Sequence, residues 1–424
     1  MSGLLSAYRW ASRAAYLPAA PLLRARAGRT PRGFLAGRLG LEAGEPLRPD
    51  LWIHAVSVGE VAVAEAVVAA LDRRGGGLDI VVSCGTPAGW DRARDRLGGR
   101  CRVVGYPLDF PQVVARALRR LRPRVYAAVE AELWPNLLLS VRRSGARTVL
   151  LNGRISARSY PAYRRIRSLT RPLLQGFDRV CAISGRHAER LQALGAPPDR
   201  VVVTGNAKFE GLLDRPDPGA AAAVRSRLGV EGAVPVWVAG SLRKGEEGPA
   251  LDAFCRLRGR WPGLVLCLVP RHLERVGRCH RAARRRGLEA VDWSRLPGKT
   301  APVVVVDEIG PLFDLYGTAR VAFVGGSLAP KGGQNLMEPA AWGCPVVYGP
   351  HTENFEDARA ALDAAGGGME VRDAGTLAAA VDRLLADPGR RDEMGRRARA
   401  ALEGLAAGAA ERQADVLLRA LGPA

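Results

Sequence analysis

Residues 321–350 read VAFVGGSLAPKGGQNLMEPAAWGCPVVYGP, and the fold follows from this stretch. The apolar run at 321–324 meets Gly325-Gly326, and a second glycine pair, Gly332-Gly333, follows. Asn335 then opens a helix-like segment, with Glu338 at the third position and Gly343 as its stop. A second apolar run covers 345–348. Strand, glycine-rich loop, short helix and strand form the unit that binds phosphates and nucleotides in parallel α/β sheets. Glycines there let a ligand approach the main chain closely, and Asn335 is a good helix cap. A nucleotide is the expected ligand of this loop.

The same alternation extends in both directions. Buried parallel strands are predicted at 51–56 (LWIHAV), 80–85 (IVVSCG), 125–130 (VYAAVE), 147–153 (RTVLLNG) and 179–184 (RVCAIS), with helical patterns such as 60–73, 111–121 and 186–194 between them. A Pro-rich break, LLDRPDPG, occupies 212–219. A second series then runs through 234–241 (VPVWVAGS), 264–270 (LVLCLVP), 302–307 (PVVVVD), 321–326 and 345–349. The expected organisation is an α/β chain of two doubly wound, Rossmann-like domains facing a central cleft. Residues 1–40 form an N-terminal segment, 41–211 the first domain, 212–220 a linker and 221–424 the second domain. Arginine-rich helices at the end of the chain return to the first domain. On pattern alone, two-domain glycosyltransferases, periplasmic binding proteins and epimerases all fit.

With 424 residues, 47% of them hydrophobic, the chain can bury more than one core. Its seven cysteines stand singly, which supports neither a disulfide framework nor a zinc site. The formal net charge of +21 draws the chain toward polyanions, or reflects an arginine-rich composition whose charge is simply solvated. No nucleic-acid module accompanies the basic runs at 24–32 and 281–286, so no specific nucleic acid is expected as a partner. Residues 4–23 are apolar but carry Arg9, Arg13, Pro18 and Pro21, which argues against a membrane span. Tyr8, Trp10, Tyr16 and the basic residues that follow suit a helix lying on an anionic membrane surface; an ordinary docking helix is the alternative.

Ligands of doubly wound sheets sit beyond the carboxyl ends of the strands, and polar residues crowd there. The first strand runs into Ser57 and Glu60, a capping box or the setting of a general base. A Glu at a helix start is expected to stay ionised. The third strand ends in Glu130 and Glu132 beside Trp134, the fourth in Asn152 and Arg154, and a later loop carries Asn206 and Lys208. Buried glutamates are rare unless partnered, so these ends are dressed for a ligand.

The motifs form an ordered set: HAVSVGE (54–60), EAELWPN (130–136), NGRIS (152–156), GNAKF (205–209), SLRKGEE (241–247), VPRH (269–272), FVGGSL (323–328), GGQNLMEP (332–339) and GPHTENF (349–355). Together they resemble the bacterial 3-deoxy-D-manno-octulosonic acid (Kdo) transferases, over most of the chain. The resemblance implies a GT-B fold and inverting transfer of Kdo from the donor CMP-Kdo to a lipid A precursor. It implies no cofactor and no metal, and action at the cytoplasmic face of the bacterial inner membrane. By the same resemblance Glu60 is the catalytic base. Pro270, Arg271, Ile309, Gly310, Pro311, Asn335, Leu336, Met337 and Glu338 contact CMP. Glu130, Glu132, Arg154 and Lys208 are candidates for acceptor or sugar. The chain departs from the family at Pro311, where Glu is usual, at Gln334, where His is common, and at Leu242, where Thr is common. Another nucleotide-sugar enzyme, such as a UDP-sugar epimerase, and a non-enzymatic polyanion binder are the alternatives.

Overall fold

The computed structural model describes residues 3–27, 34–41, 45–230, 234–297 and 301–422. The chain divides into two compact units, Met1–Gly211 with Ala406–Ala424, and Leu212–Leu405.

Unit 1 carries β1 (Leu51–His54), β2 (Ile80–Cys84), β3 (Arg102–Gly105), β4 (Val125–Val129), β5 (Arg147–Gly153), β6 (Arg179–Ala182) and β7 (Val201–Val203). They form one parallel sheet in the order β3-β2-β1-β4-β5-β6-β7. Helices cover both faces, so the central strands are buried along their whole length and read as continuous apolar runs. Leu51 and Ile53 enter one core with Val61, Val67, Ala414 and Leu417. Trp52, between them, enters the opposite core with Tyr126, Leu150 and Leu5.

Unit 2 repeats the plan with β8 (Val236–Leu242), β9 (Val265–Pro270), β10 (Ala290–Asp292), β11 (Val303–Val305), β12 (Val321–Val324), β13 (Val346–Tyr348) and β14 (Gly368–Glu370). The order is β10-β11-β9-β8-β12-β13-β14, again all parallel. Strand order reverses between β1 and β4 in unit 1 and between β8 and β12 in unit 2, and crevices open at such switch points.

Ten strands follow the predicted apolar runs. The four that sequence patterning misses, β3, β7, β10 and β14, are the four sheet edges. Edge strands of three or four residues are covered less completely, so their apolar runs are too brief to stand out. The linker expected at 212–220 is shorter than its prolines suggest: helices Glu210–Leu213 and Pro218–Arg227 enter it from both sides, the second capped by Asp217. Helix Ala409–Leu421 belongs to unit 1, where it packs on helix Val58–Arg73 and Arg74 pairs with Glu411 and Asp415.

The N-terminal segment is a helix, Gly3–Ala27, docked on unit 1 by Leu5, Tyr16 and Ala20. Its other face holds Trp10 at 69% and Leu17 at 70% exposure, with Leu4 and Leu22 also exposed. Among the described residues no helix is long and apolar enough to cross a membrane. The seven cysteines are free thiols.

Candidate active site

The carboxyl ends of β1 and β4 flank the switch point of unit 1, and Glu60 sits there. It lies in the first turn of helix Val58–Arg73 and is only 8% exposed. The Val56 N–H donates to its Oε2 at 2.8 Å and the Ser57 hydroxyl to its Oε1 at 2.9 Å. Ser57 therefore does not cap the helix: its side chain makes no bond to the helical N–H groups and orients the carboxylate instead.

The expectation that Glu60 stays readily ionised is also corrected. Burial, and next the charge of Glu130, push its pKa from 4.5 up to about 7, with Glu132 adding to the rise. The Val56 and Ser57 hydrogen bonds oppose the rise without cancelling it. A carboxylate poised near neutrality has the proton affinity a general base needs.

Glu130 and its neighbours are brought together as the motifs suggest. Arg154 Nε lies 3.7 Å from Glu130 Oε2 and Lys208 Nζ 3.6 Å from Glu130 Oε1. These are ion pairs at the outer limit of contact, leaving both cations able to turn to a ligand. Glu132 is turned aside by the Trp134 indole, whose N–H donates to it at 2.6 Å. Burial raises the Glu132 pKa above its usual range, against the pull of that hydrogen bond.

The backbone here is specialised. Glu130 (φ 61°) and Asn152 (φ 52°), at the ends of adjacent strands β4 and β5, both occupy the left-handed region that non-glycine residues avoid. Asn152 is buried, donates to Asn206 Oδ1 at 3.1 Å and accepts from the Ala207 N–H at 3.0 Å. That pair holds the loop that aims Lys208. Gly59 completes the placement, because a Cβ there would come within 2.7 Å of Lys208 Nζ.

Two residues of this site escaped sequence reasoning. His54 is buried, stacked on Tyr106 with centroids 3.3 Å apart, and its Nδ1 faces the Ser83 carbonyl at 3.1 Å. Burial lowers its pKa to about 3, so it is a neutral wall of the β1 end. Asp109 accepts from the N–H groups of Asn136 and Leu137 and from the Tyr8 hydroxyl, tying the acidic loop after β4 to the N-terminal helix. Its own Asp-Phe-Pro context gives no signal of a cap supplied to another helix.

Removing one negative neighbour tests the coupling. Glu130→Gln is expected to lower the Glu60 pKa, so the acid limb of the pH–rate profile moves to lower pH by roughly half a unit or more. An unmoved limb would show that the Glu130 charge does not act on Glu60.

In unit 2 a cavity of about 410 Å³ opens beside the ends of β8 and β9, lined by Pro270, Arg271, Ile309 and Gly310 together with Ser241 and His272. Its size is that of a small-ligand pocket. The predicted donor contacts at 270–271 and 309–310 therefore line one cavity, where Arg271 is exposed and Ile309 is 90% exposed. Pro311, Asn335 and Glu338 are not among its lining residues. Leu336 and Met337 are fully buried, which leaves only their main chain for a ligand. The helix there is the five-residue Met337–Ala341 with Leu336 as N-cap, one residue later than predicted. Asn335 still accepts from the Met337 N–H at 3.2 Å and donates to Glu338 at 3.3 Å.

The glycine loop after β12 differs from expectation. The N–H groups of Gly326, Ser327, Leu328 and Ala329 all donate to the carboxylate of Glu246. They are not open to a ligand. Among the described residues no cluster of three or more His, Cys, Asp or Glu side chains is arranged to hold a metal ion.

Comparisons with known proteins show the family and the fold. Residues 23–211 match the family model described as 3-deoxy-D-manno-octulosonic-acid transferase (kdotransferase). The chain is 36% identical over 397 residues to 3-deoxy-D-manno-octulosonic acid transferase of Bordetella pertussis, covering 91% of each protein. It is 32% identical to the Haemophilus influenzae protein of the same name, with 86% of each covered. Among solved structures, a glycosyltransferase from Rickettsia africae covers 90% of this chain and all of its own, with a TM-score of 0.62 and 13% identity. UDP-GlcNAc 2-epimerase from Neisseria meningitidis covers 87% of this chain and all of its own, at 0.63 and 12%. At such identities these two share the fold alone, the two-domain GT-B arrangement of paired Rossmann-like sheets. The chain belongs to the 3-deoxy-D-manno-octulosonic acid transferase family of glycosyltransferases.

Proposed function

We propose that this protein transfers Kdo from CMP-Kdo to a lipid A precursor, inverting the anomeric centre. The observation that carries the reading is Glu60: buried at a switch point, held by Val56 and Ser57, and titrating near neutrality. In a single displacement Glu60 accepts the proton of the acceptor hydroxyl while that oxygen bonds to the anomeric carbon of Kdo. The bond from that carbon to the phosphate oxygen breaks, and CMP leaves with its electrons. Arg154 and Lys208, loosely paired to Glu130, suit the carboxylate of the sugar or the phosphate of the acceptor. Arg271, on the wall of the unit 2 cavity, suits the phosphate of CMP. Mass spectrometry of the acceptor after incubation with CMP-Kdo tests this: a product heavier by Kdo, with CMP released, is expected, and an unchanged acceptor would overturn it.

The reading includes attachment to the cytoplasmic face of the inner membrane through helix Gly3–Ala27. Its outward face combines Leu4, Trp10, Leu17 and Leu22 with exposed alanines at 7, 11 and 14, and the Arg13 guanidinium lies 5.8 Å from the Trp10 ring centre. Such a face enters the headgroup region while the opposite one remains docked. The double variant Trp10→Glu, Leu17→Glu is expected to lose at least tenfold in partitioning onto anionic vesicles, since about 1.4 kcal/mol suffices for that factor. Undiminished vesicle binding would remove the helix from that role.

A further inference from the structure

Glu246 occupies the unit 2 position where a parallel sheet ordinarily receives an anion. It precedes helix Glu247–Leu257, follows β8, and its side chain crosses the switch point to the loop after β12. It is fully buried. Its Oε2 accepts from the N–H groups of Arg243 at 2.8 Å and Gly326 at 2.6 Å. Its Oε1 accepts from Ser327 and Leu328 at 2.9 Å each and from Ala329 at 3.2 Å. Five convergent main-chain N–H groups make an anion-binding nest of the kind that holds phosphates. Here the chain supplies the anion itself.

This nest adjoins the donor cavity. Ser241, in the left-handed region at φ 53°, lines the cavity and lies two residues from Arg243, whose N–H enters the nest. The Arg243 guanidinium meets His272 Nε2, on the cavity wall, at 2.7 Å. The Arg271 N–H donates to Leu242 O at 2.9 Å, fixing the second cavity strand to the same turn. One exposed cation on the cavity wall, Arg271, is available to a single phosphate. A further phosphoryl group directed at the switch point would find no free N–H groups in the nest and would meet a buried carboxylate.

We propose that Glu246 sets the class of donor: it fills the nest in place of a second phosphate, so the cavity takes nucleoside monophosphates and their sugars and excludes nucleoside diphosphates. This rests on the reading of the donor as CMP-linked, and it adds a residue that selects on phosphate number. Glu246 is a positioning and specificity residue, touching the loop rather than the reacting atoms.

The test is titration calorimetry with CMP and CDP, which share a base and ribose and differ in phosphate number. Wild type, Glu246→Ala and Glu246→Gln are compared at one ionic strength, after circular dichroism has confirmed folding. Wild type is expected to prefer CMP by tenfold or more, and Glu246→Ala, with an empty nest, to lose most of that preference by gaining affinity for CDP. Acetate at high concentration should refill the nest and restore the preference in Glu246→Ala but not in wild type, where nothing is missing. Glu246→Gln keeps the side-chain volume, so it remains informative if Glu246→Ala does not fold. Its amide cannot accept at both positions, and a reduced preference is expected there too. A folded variant with the wild-type ratio overturns the proposal, and so does a wild type that binds CMP and CDP equally well. A wild type that binds neither nucleotide overturns the CMP reading instead.

Discussion

Glu60→Gln is expected to slow Kdo transfer by about 10²–10⁴-fold, the range a positioned general base supplies, while leaving the protein more stable than wild type above neutral pH. The two effects share one cause. Folded Glu60 titrates near 7 against an ordinary 4.5, so between those values the unfolded chain holds fewer protons than the folded one. The stability associated with this group is complete below about 4.5 and is lost as pH rises through 7. The loss amounts to at most about 3 kcal/mol. Glutamine does not ionise, still accepts from the Val56 N–H, and can donate to the Ser57 oxygen. It should therefore recover about 1–3 kcal/mol at pH 8 in denaturant unfolding. A variant equally inactive but less stable than wild type at that pH would show that Glu60 matters for packing rather than for proton transfer.

Gly349→Ala should have a large structural effect. Gly349 follows β13, and its N–H donates to the Ser327 hydroxyl at 2.8 Å. Two residues on, the His351 N–H donates to the Ser327 carbonyl at 2.9 Å. The loops after β12 and β13 are thus joined through Ser327, which is fully buried. A Cβ at 349 would overlap the main chain of Ser327 and Leu328. Main-chain atoms cannot swing aside as a side-chain end can, so the loop carrying the Glu246 nest must move. A loss of about 3 kcal/mol or more is expected by denaturant unfolding, together with weakened CMP binding in whatever folds. A variant of wild-type stability would mean that the two loops separate freely.

Much of this was legible in the sequence because parallel strands buried on both faces leave continuous apolar runs. The ten interior strands announce themselves that way, and the four edges do not. The site was legible as a set of strand ends: Glu60, Glu130, Arg154 and Lys208 do converge within unit 1. Their state was not. That Glu60 titrates near 7 depends on burial beneath loops far along the chain and on Glu130, 70 positions away in sequence, which local pattern cannot weigh. Ser57 and Glu60 looked like a capping box because the spacing is identical; only the direction of the Ser57 hydroxyl separates the two. The glycine loop at 325–329 has the sequence of a loop open to a nucleotide, and nothing in that sequence reveals that Glu246, some 80 residues earlier, fills its N–H groups. Spacing identified the anion site and left its occupant unspecified.

Glu60 as the base of Kdo transfer carries the proposed mechanism. The most direct measurement is kcat/KM for transfer from CMP-Kdo to the lipid acceptor against pH, for wild type and Glu60→Gln. The wild type should show an acid limb of unit slope centred near 7, and Glu60→Gln a residual rate without that limb. A wild-type profile flat from pH 5 to 9, or a Glu60→Gln enzyme as fast as wild type, would contradict it.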